Sequence, residues 1–197
     1  MHVAMLMADG FEDSECRQPY EGLLAAAHEV VVVDPAADRV LSGKKGAERK
    51  QVDLALSSAV PASFDAIVIP GGYSPDRLRI MPDAVAFVAA MHAAGQLVAT
   101  ICHGPWLLIE ANLVRGRTLT GWASVRTDVL NAGGIWVDEP VVQDGRLITS
   151  RAPTDLPYFT TSILQALSEM DQPDPCATAT PVHPGLQGQR PGRWGIT

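Results

Sequence analysis

The sequence predicts an α/β domain, a doubly wound and mostly parallel sheet of the flavodoxin-like kind with helices on both faces. Three observations predict it. Short apolar runs such as residues 28–33 and 66–69 are continuous in Val and Ile, as strands covered on both faces are. Between them lie segments whose apolar residues recur three and four positions apart, the spacing of amphipathic helices. The strands end on turn-forming residues, at Asp9-Gly10, Pro70-Gly71-Gly72 and Cys102-His103-Gly104.

Taken in order, residues 2–8 form an apolar run that reads as the first strand, and Asp9-Gly10-Phe11 breaks it. Glu12-Asp13-Ser14-Glu15 places acidic residues where a helix begins, which its dipole favours. From 16 to 27 the apolar positions Tyr20, Leu23, Leu24 and Ala27 make an amphipathic helix. Pro19 lies inside that pattern, so the helix either starts near Arg17 or bends there. Residues 28–33 are the second strand. The polar stretch 34–51, with turns at Ser42-Gly43 and Lys45-Gly46, is a loop with room for a small hairpin. Its basic cluster of Lys44, Lys45, Arg49 and Lys50 is interrupted by Gly46 and Glu48 and reads as solvated.

Residues 52–56 are a short strand or extended piece, and 66–69 are a third buried strand ending in Pro70-Gly71-Gly72. Glycines there let a ligand approach backbone N–H groups, although Pro-Gly-Gly alone is a turn in most proteins. Val85, Phe87, Val88 and Met91 define a helix over 82–94 that Gly95 closes. A strand over 97–101 precedes a helix from 105 to about 112. Arg115-Gly116-Arg117 turns the chain into 118–121, and a helix over 124–131 ends at Gly133-Gly134. Residues 135–137, 141–143 and 147–150 read as short strands, the last two a hairpin about Asp144-Gly145. Leu156, Phe159, Ile163, Leu164 and Leu167 mark a final helix over 154–168, with Pro153 just ahead of it. This gives one α/β domain over 1–170. The extension 171–197, where nine of 27 residues are Pro or Gly, is either flexible or laid over the surface.

Composition narrows the function. A formal charge of −7 with scattered Lys and Arg argues against a nucleic-acid partner. No apolar run approaches the roughly 18 residues that a membrane span needs, and the chain opens directly into a strand without a basic leader, so a soluble, cytoplasmic protein is expected. Cys16, Cys102 and Cys176 are too widely spaced for a disulfide framework or a zinc site, and no metal or cofactor is called for.

The chemistry centres on Thr100-Ile101-Cys102-His103-Gly104. Small residues two before and two after Cys102 fit a strand-to-helix elbow that pushes a strained nucleophile outward. Thiolate is the reactive form, and the first turn of a helix lowers a thiol's pKa. His103 follows as base or charge partner. In open α/β sheets sites lie beyond the carboxyl ends of the strands, so loops 9–15, 70–76 and 102–105 converge. Glu12 and Glu15, three apart, share a helix face, and one of them with a raised pKa could hold the proton that Cys102 gives up. The backbone N–H groups of Gly72 and His103 are the natural oxyanion donors, and Gly71 belongs to the same pocket.

Gly10-Phe-Glu-Asp-Ser-Glu15, Pro70-Gly-Gly72, Ala99-Thr-Ile-Cys-His-Gly-Pro105, Asn131-Ala-Gly133 with Trp136-Val-Asp138, and Asp144-Gly145 with Ile148-Thr-Ser-Arg151 occur in that order. Together they resemble the PfpI/ThiJ superfamily, which includes the PfpI intracellular proteases, bacterial general stress proteins and the human parkinsonism-associated deglycase. The resemblance spans about residues 1–167. It implies a flavodoxin-like sandwich related to class I glutamine amidotransferases, a reactive Cys102 beside His103, Glu15 against that cysteine, and a homodimer or larger ring. In the protease branch an acid from a neighbouring subunit completes the triad. Asp76 takes its place here, one methylene shorter than the usual Glu, and Trp122 stands where the branch has Tyr.

The resulting expectation is a stress protein that acts as a cysteine hydrolase on a peptide, or as a glyoxalase or deglycase on a small carbonyl such as methylglyoxal. The alternative is a redox sensor in which a low-pKa Cys102 is reversibly oxidised, Cys16 resolving it if it faces the pocket and otherwise packing in the core. An interaction or chaperone module acting through a dimer surface is the third reading.

Overall fold

The computed structural model describes residues 1–171. The expectation for the Pro/Gly-rich extension lies outside these residues, except that Asp171 closes the last helix. Strand β1 (His2–Leu6) is central, and β2 (Glu29–Asp34) and β6 (Ala66–Ile69) pair with it in parallel on either side. Beyond β6 lies β7 (Leu97–Ile101), then β11 (Leu147–Ser150) and β10 (Val141–Asp144); beyond β2 lies the edge strand β5 (Leu54–Ala55). All neighbours are parallel except the β10–β11 hairpin, so the doubly wound expectation is met.

Alternation along the strands fills two cores. Val3, Met5, Val68, Ala99 and Ile101 face helices α1 (Asp13–Ala25) and α6 (Leu156–Asp171), with Leu23, Phe159 and Ile163 opposite. Ala4, Leu6, Ile67, Ile69 and Val98 face α3 (Pro82–Ala93) and α4 (Pro105–Glu110), meeting Phe87, Met91, Leu107 and Leu108. Each fully buried large side chain contributes about 1.5–3 kcal/mol. The continuous apolar runs are therefore the sheet's own account of why it lies between helix layers.

Several boundaries differ from expectation. β1 stops at Leu6 because the Ala8 N–H donates to the Ser74 hydroxyl at 2.8 Å and not to a strand. The first helix starts at Asp13, four residues before Arg17, and carries Pro19 within it. Its cap is Glu12, whose carboxylate accepts from the N–H groups of Ser14 at 2.9 Å and Glu15 at 3.0 Å. Helix α2 (Ser74–Leu78) was not foreseen, although Pro75 in its first turn is a start signal. α4 ends at Glu110 because Asn112 takes a left-handed φ of 58° and closes it. The loop 34–51 does carry a hairpin, β3 (Val40–Ser42) with β4 (Arg49–Gln51). β8 (Thr118–Leu119) and β9 (Ile135–Trp136) pair with each other, outside the main sheet. Helix α5 (Arg126–Asn131) separates them.

Candidate active site

Parallel strands in register bring three carboxyl ends to one edge. β1, β6 and β7 end at Leu6, Ile69 and Ile101, and the loops that follow are stitched together: Glu12 N–H donates to Gly71 O at 3.1 Å and Tyr73 N–H to Gly10 O at 2.8 Å. The predicted convergence of loops 9–15, 70–76 and 102–105 is what the backbone does.

Cys102 sits at the elbow with φ of 61°, a left-handed conformation that costs a residue with a side chain about 1–3 kcal/mol. Neighbouring backbone holds it there. Its N–H donates to Ser150 O at 3.0 Å, and its carbonyl accepts the Trp122 N–H at 2.8 Å. Gly71 makes the close approach possible, since a Cβ there would fall 2.6 Å from Glu15 Oε2 and 2.7 Å from Cys102 Cβ.

Glu15 is completely buried on α1. Its Oε2 accepts the Gly71 N–H at 2.8 Å, while Oε1 has no hydrogen-bond partner among the described residues. Burial pushes this carboxyl up to about 7, helped by the nearby Glu12 carboxylate; the Gly71 N–H and an interaction with the Cys102 thiol pull the other way. Glu12 behaves oppositely. Although burial raises it, the Ser14 hydroxyl, the N–H groups at the cap and Lys44 hold it below the usual carboxylate range, and Lys45 Nζ lies 3.5 Å from its Oε1.

Burial also pushes the Cys102 thiol up to about 12, and the Glu15 carboxylate adds to this. The N–H groups of Gly72 and His103, both directed at the sulfur, lower it without reversing the balance. Burial and the neighbouring acid both favour the protonated thiol. The direction is opposite to the expected depression because the cysteine is nearly enclosed and the charge of Glu15 adds to the effect of burial.

His103 places Nδ1 3.1 Å from Cys102 Sγ and Nε2 3.4 Å from Ser124 Oγ, with its ring against Trp106. Burial, then the charge of Lys44, lowers its pKa against the opposing pull of Asp76, so the imidazole is neutral at neutral pH. Asp76, on α2, is exposed and lines the same cavity within the one chain, but makes no hydrogen bond to His103. Trp122 lines it too, its ring 6.4 Å from that of His103. The cavity has a volume of 580 Å³.

Sequence reasoning missed Lys44, Lys45 and Ser124. The two lysines line the cavity because Asp13 folds their loop back, accepting N–H bonds from Lys45 at 2.9 Å and from Ala47 and Glu48 at 2.8 Å. A Ser-Gly-Lys-Lys-Gly turn between two short strands was the available signal. Cys16 faces away, its sulfur 3.8 Å from that of Met5 in the core, so it is not placed to resolve an oxidised Cys102. Cys176 lies outside the described residues. Among the described residues no cluster of His, Cys, Asp and Glu is arranged to hold a metal, and no helix is long and apolar enough to cross a membrane.

A doubly wound domain with a cysteine at a strand–helix elbow and a buried acid from the first helix beside it defines a recognisable class. Residues 1–166 match the DJ-1/PfpI family, and the chain belongs to that family. It is 42% identical over 166 residues to protein/nucleic acid deglycase 2 of Escherichia coli, covering 84% of this chain and 96% of that one. It is 39% identical to general stress protein 18 of Bacillus subtilis, covering 85% and 98%. Among solved structures, a two-domain protein of Anabaena variabilis with a DJ-1/ThiJ/PfpI-like and a ferritin-like domain superposes with a TM-score of 0.84 at 44% identity, over 85% of this chain and 50% of that one.

Proposed function

We propose that the protein is a cysteine-dependent deglycase or related hydrolase acting on small carbonyl adducts. Cys102 is the nucleophile and Glu15 the base that takes the thiol proton as the sulfur attacks. The observation that carries this reading is a fully buried carboxyl, held by the Gly71 N–H at 2.8 Å and brought against the elbow cysteine across Gly71, with burial pushing it up to about 7. A base of that strength is matched to neutral pH, and it acts only when the sulfur–carbon bond begins to form. Neutral His103 accepts at Nδ1 and moves protons between the reacting atoms and solvent. The Gly72 and His103 N–H groups stabilise the oxygen of the attacked carbonyl. The naming of several relatives as deglycases supports the reaction class.

Peptide hydrolysis has less support, because Asp76, one methylene shorter, stands in the place of the glutamate of the protease branch, and Trp122 in the place of its tyrosine. A role as redox sensor also has less, because Cys16 packs in the core against Met5 and is not placed to resolve an oxidised Cys102. The test is turnover of a methylglyoxal-glycated amino acid and of casein by purified protein, alongside Cys102→Ser. Deglycation lost in the variant supports the proposal. Deglycation that persists, or casein cleavage alone, overturns it.

A further inference from the structure

The chemistry above leaves one wall of the cavity unused, the hairpin loop that carries Lys44. That loop is built as a fixed support: Lys44 N–H donates to Phe11 O at 2.8 Å, Gly43 N–H to Glu48 O at 2.9 Å, and the N–H groups of Lys45, Ala47 and Glu48 all converge on Asp13. The Lys44 side chain is exposed at the cavity rim, whereas Glu12, Glu15 and Cys102 are buried at its floor. The two lysines differ. Lys45 lies 3.5 Å from Glu12, while no carboxylate among the described residues lies within ion-pair distance of Lys44. Its charge is felt throughout the site, at Glu12, Glu15 and His103. At His103, beside the sulfur, it outweighs the opposing Asp76. At the floor the order reverses, and Glu12 outweighs Lys44 at Glu15. The cavity thus carries, among the described residues, a lysine without a carboxylate partner at its rim and two buried carboxyl groups at its floor.

We infer that the preferred electrophile is a small carbonyl compound that carries a carboxylate, its anionic end paired with Lys44 and its carbonyl carbon at Cys102. This rests on the reading of Cys102 as nucleophile. In the step concerned, the sulfur–carbon bond forms, the carbonyl π pair moves onto oxygen, and the thiol proton passes through Glu15 to that oxygen. The product is a hemithioacetal, and no oxidant or second substrate is consumed. A neutral dicarbonyl undergoes the same step without the pairing at the rim.

Iodoacetate and iodoacetamide, nearly isosteric and differing in charge, test this without any turnover. The Cys102 sulfur displaces iodide from either, the thiol proton leaving through Glu15, and peptide mass spectrometry reads the rate at Cys102. Relative to a small neutral thiol in the same buffer, the ratio of the iodoacetate to the iodoacetamide rate is expected to be raised roughly three- to tenfold, and to fall toward the reference at high salt. Lys44→Met is expected to abolish the enhancement and Lys44→Arg to retain it. A reference-like ratio in the unmodified protein, or an enhancement that survives Lys44→Met, overturns this inference and leaves Cys102 as nucleophile. Failure of both reagents to modify Cys102 overturns the nucleophile itself.

Discussion

Asp13 and Glu15 stand two residues apart in the first turn of α1, both buried, and they handle their charge in opposite ways. Asp13 receives three backbone N–H groups from the hairpin loop, and although burial raises its pKa, those donors bring it below the ordinary value. Glu15 receives one backbone N–H and a thiol, so burial wins and its pKa rises to about 7. Deeper burial and the neighbouring Glu12 carboxylate make Glu15 a proton acceptor, whereas the three donors aimed at the less deeply set Asp13 make it a fastener.

Removing the acceptor is expected to have the largest effect. Glu15→Gln keeps the shape and the Gly71 contact, and it should lower kcat/KM for deglycation by about 10²–10⁴-fold, measured in steady state. In the unmodified protein, activity should rise with pH through about 7 as Glu15 ionises, an inflection absent from the variant. Removing the fastener acts on stability. Asp13→Ala leaves three N–H groups without their acceptor and is expected to cost about 3 kcal/mol in urea unfolding, with activity falling as the lysine loop loosens.

The pH dependence of stability has opposite signs at the two positions. Glu15 binds its proton more tightly folded than unfolded, so its contribution is present below the ordinary value of 4.5 and is lost as pH rises toward about 7. The loss is on the order of 3 kcal/mol, and Glu15→Gln should remove it from urea titrations across that range. Asp13, held below its ordinary 3.8, contributes stability above that value and loses it as pH falls further. The smallest effect is expected at Asp76. Being exposed and without a hydrogen bond to His103, Asp76→Asn should change kcat/KM by roughly threefold or less. A larger loss would mean that Asp76 reaches a histidine in the assembled protein.

Much of this was legible in the sequence because it rests on local pattern. The Val and Ile runs placed the strands, and small residues flanking Cys102 marked the elbow. The proton affinities were not legible, since they depend on how many donors a fold aims at a buried group, and these come from residues far away in the chain. Asp13 meets N–H groups 32 to 35 residues on, and Glu15 one 56 residues on. The lysines are exposed, as the polar loop reads, but their place beside the cavity was not legible, because a distant carboxylate folds that loop against it. Pro19 misled in the other direction: the helix accepts it, and its missing N–H leaves the carbonyl of Glu15 without the helical donor that the fourth residue on would supply.

The central claim is that Glu15 is a carboxyl poised near neutrality beside a protonated thiol. Carboxyl-carbon NMR of glutamate-labelled protein, titrated between pH 4 and 9 and assigned with Glu15→Gln, reads it directly. The account predicts one glutamate titrating near 7, and a Cys102 sulfhydryl still protonated at that pH. A Glu15 that titrates near 4.5, or a Cys102 already ionised at pH 7, would contradict it.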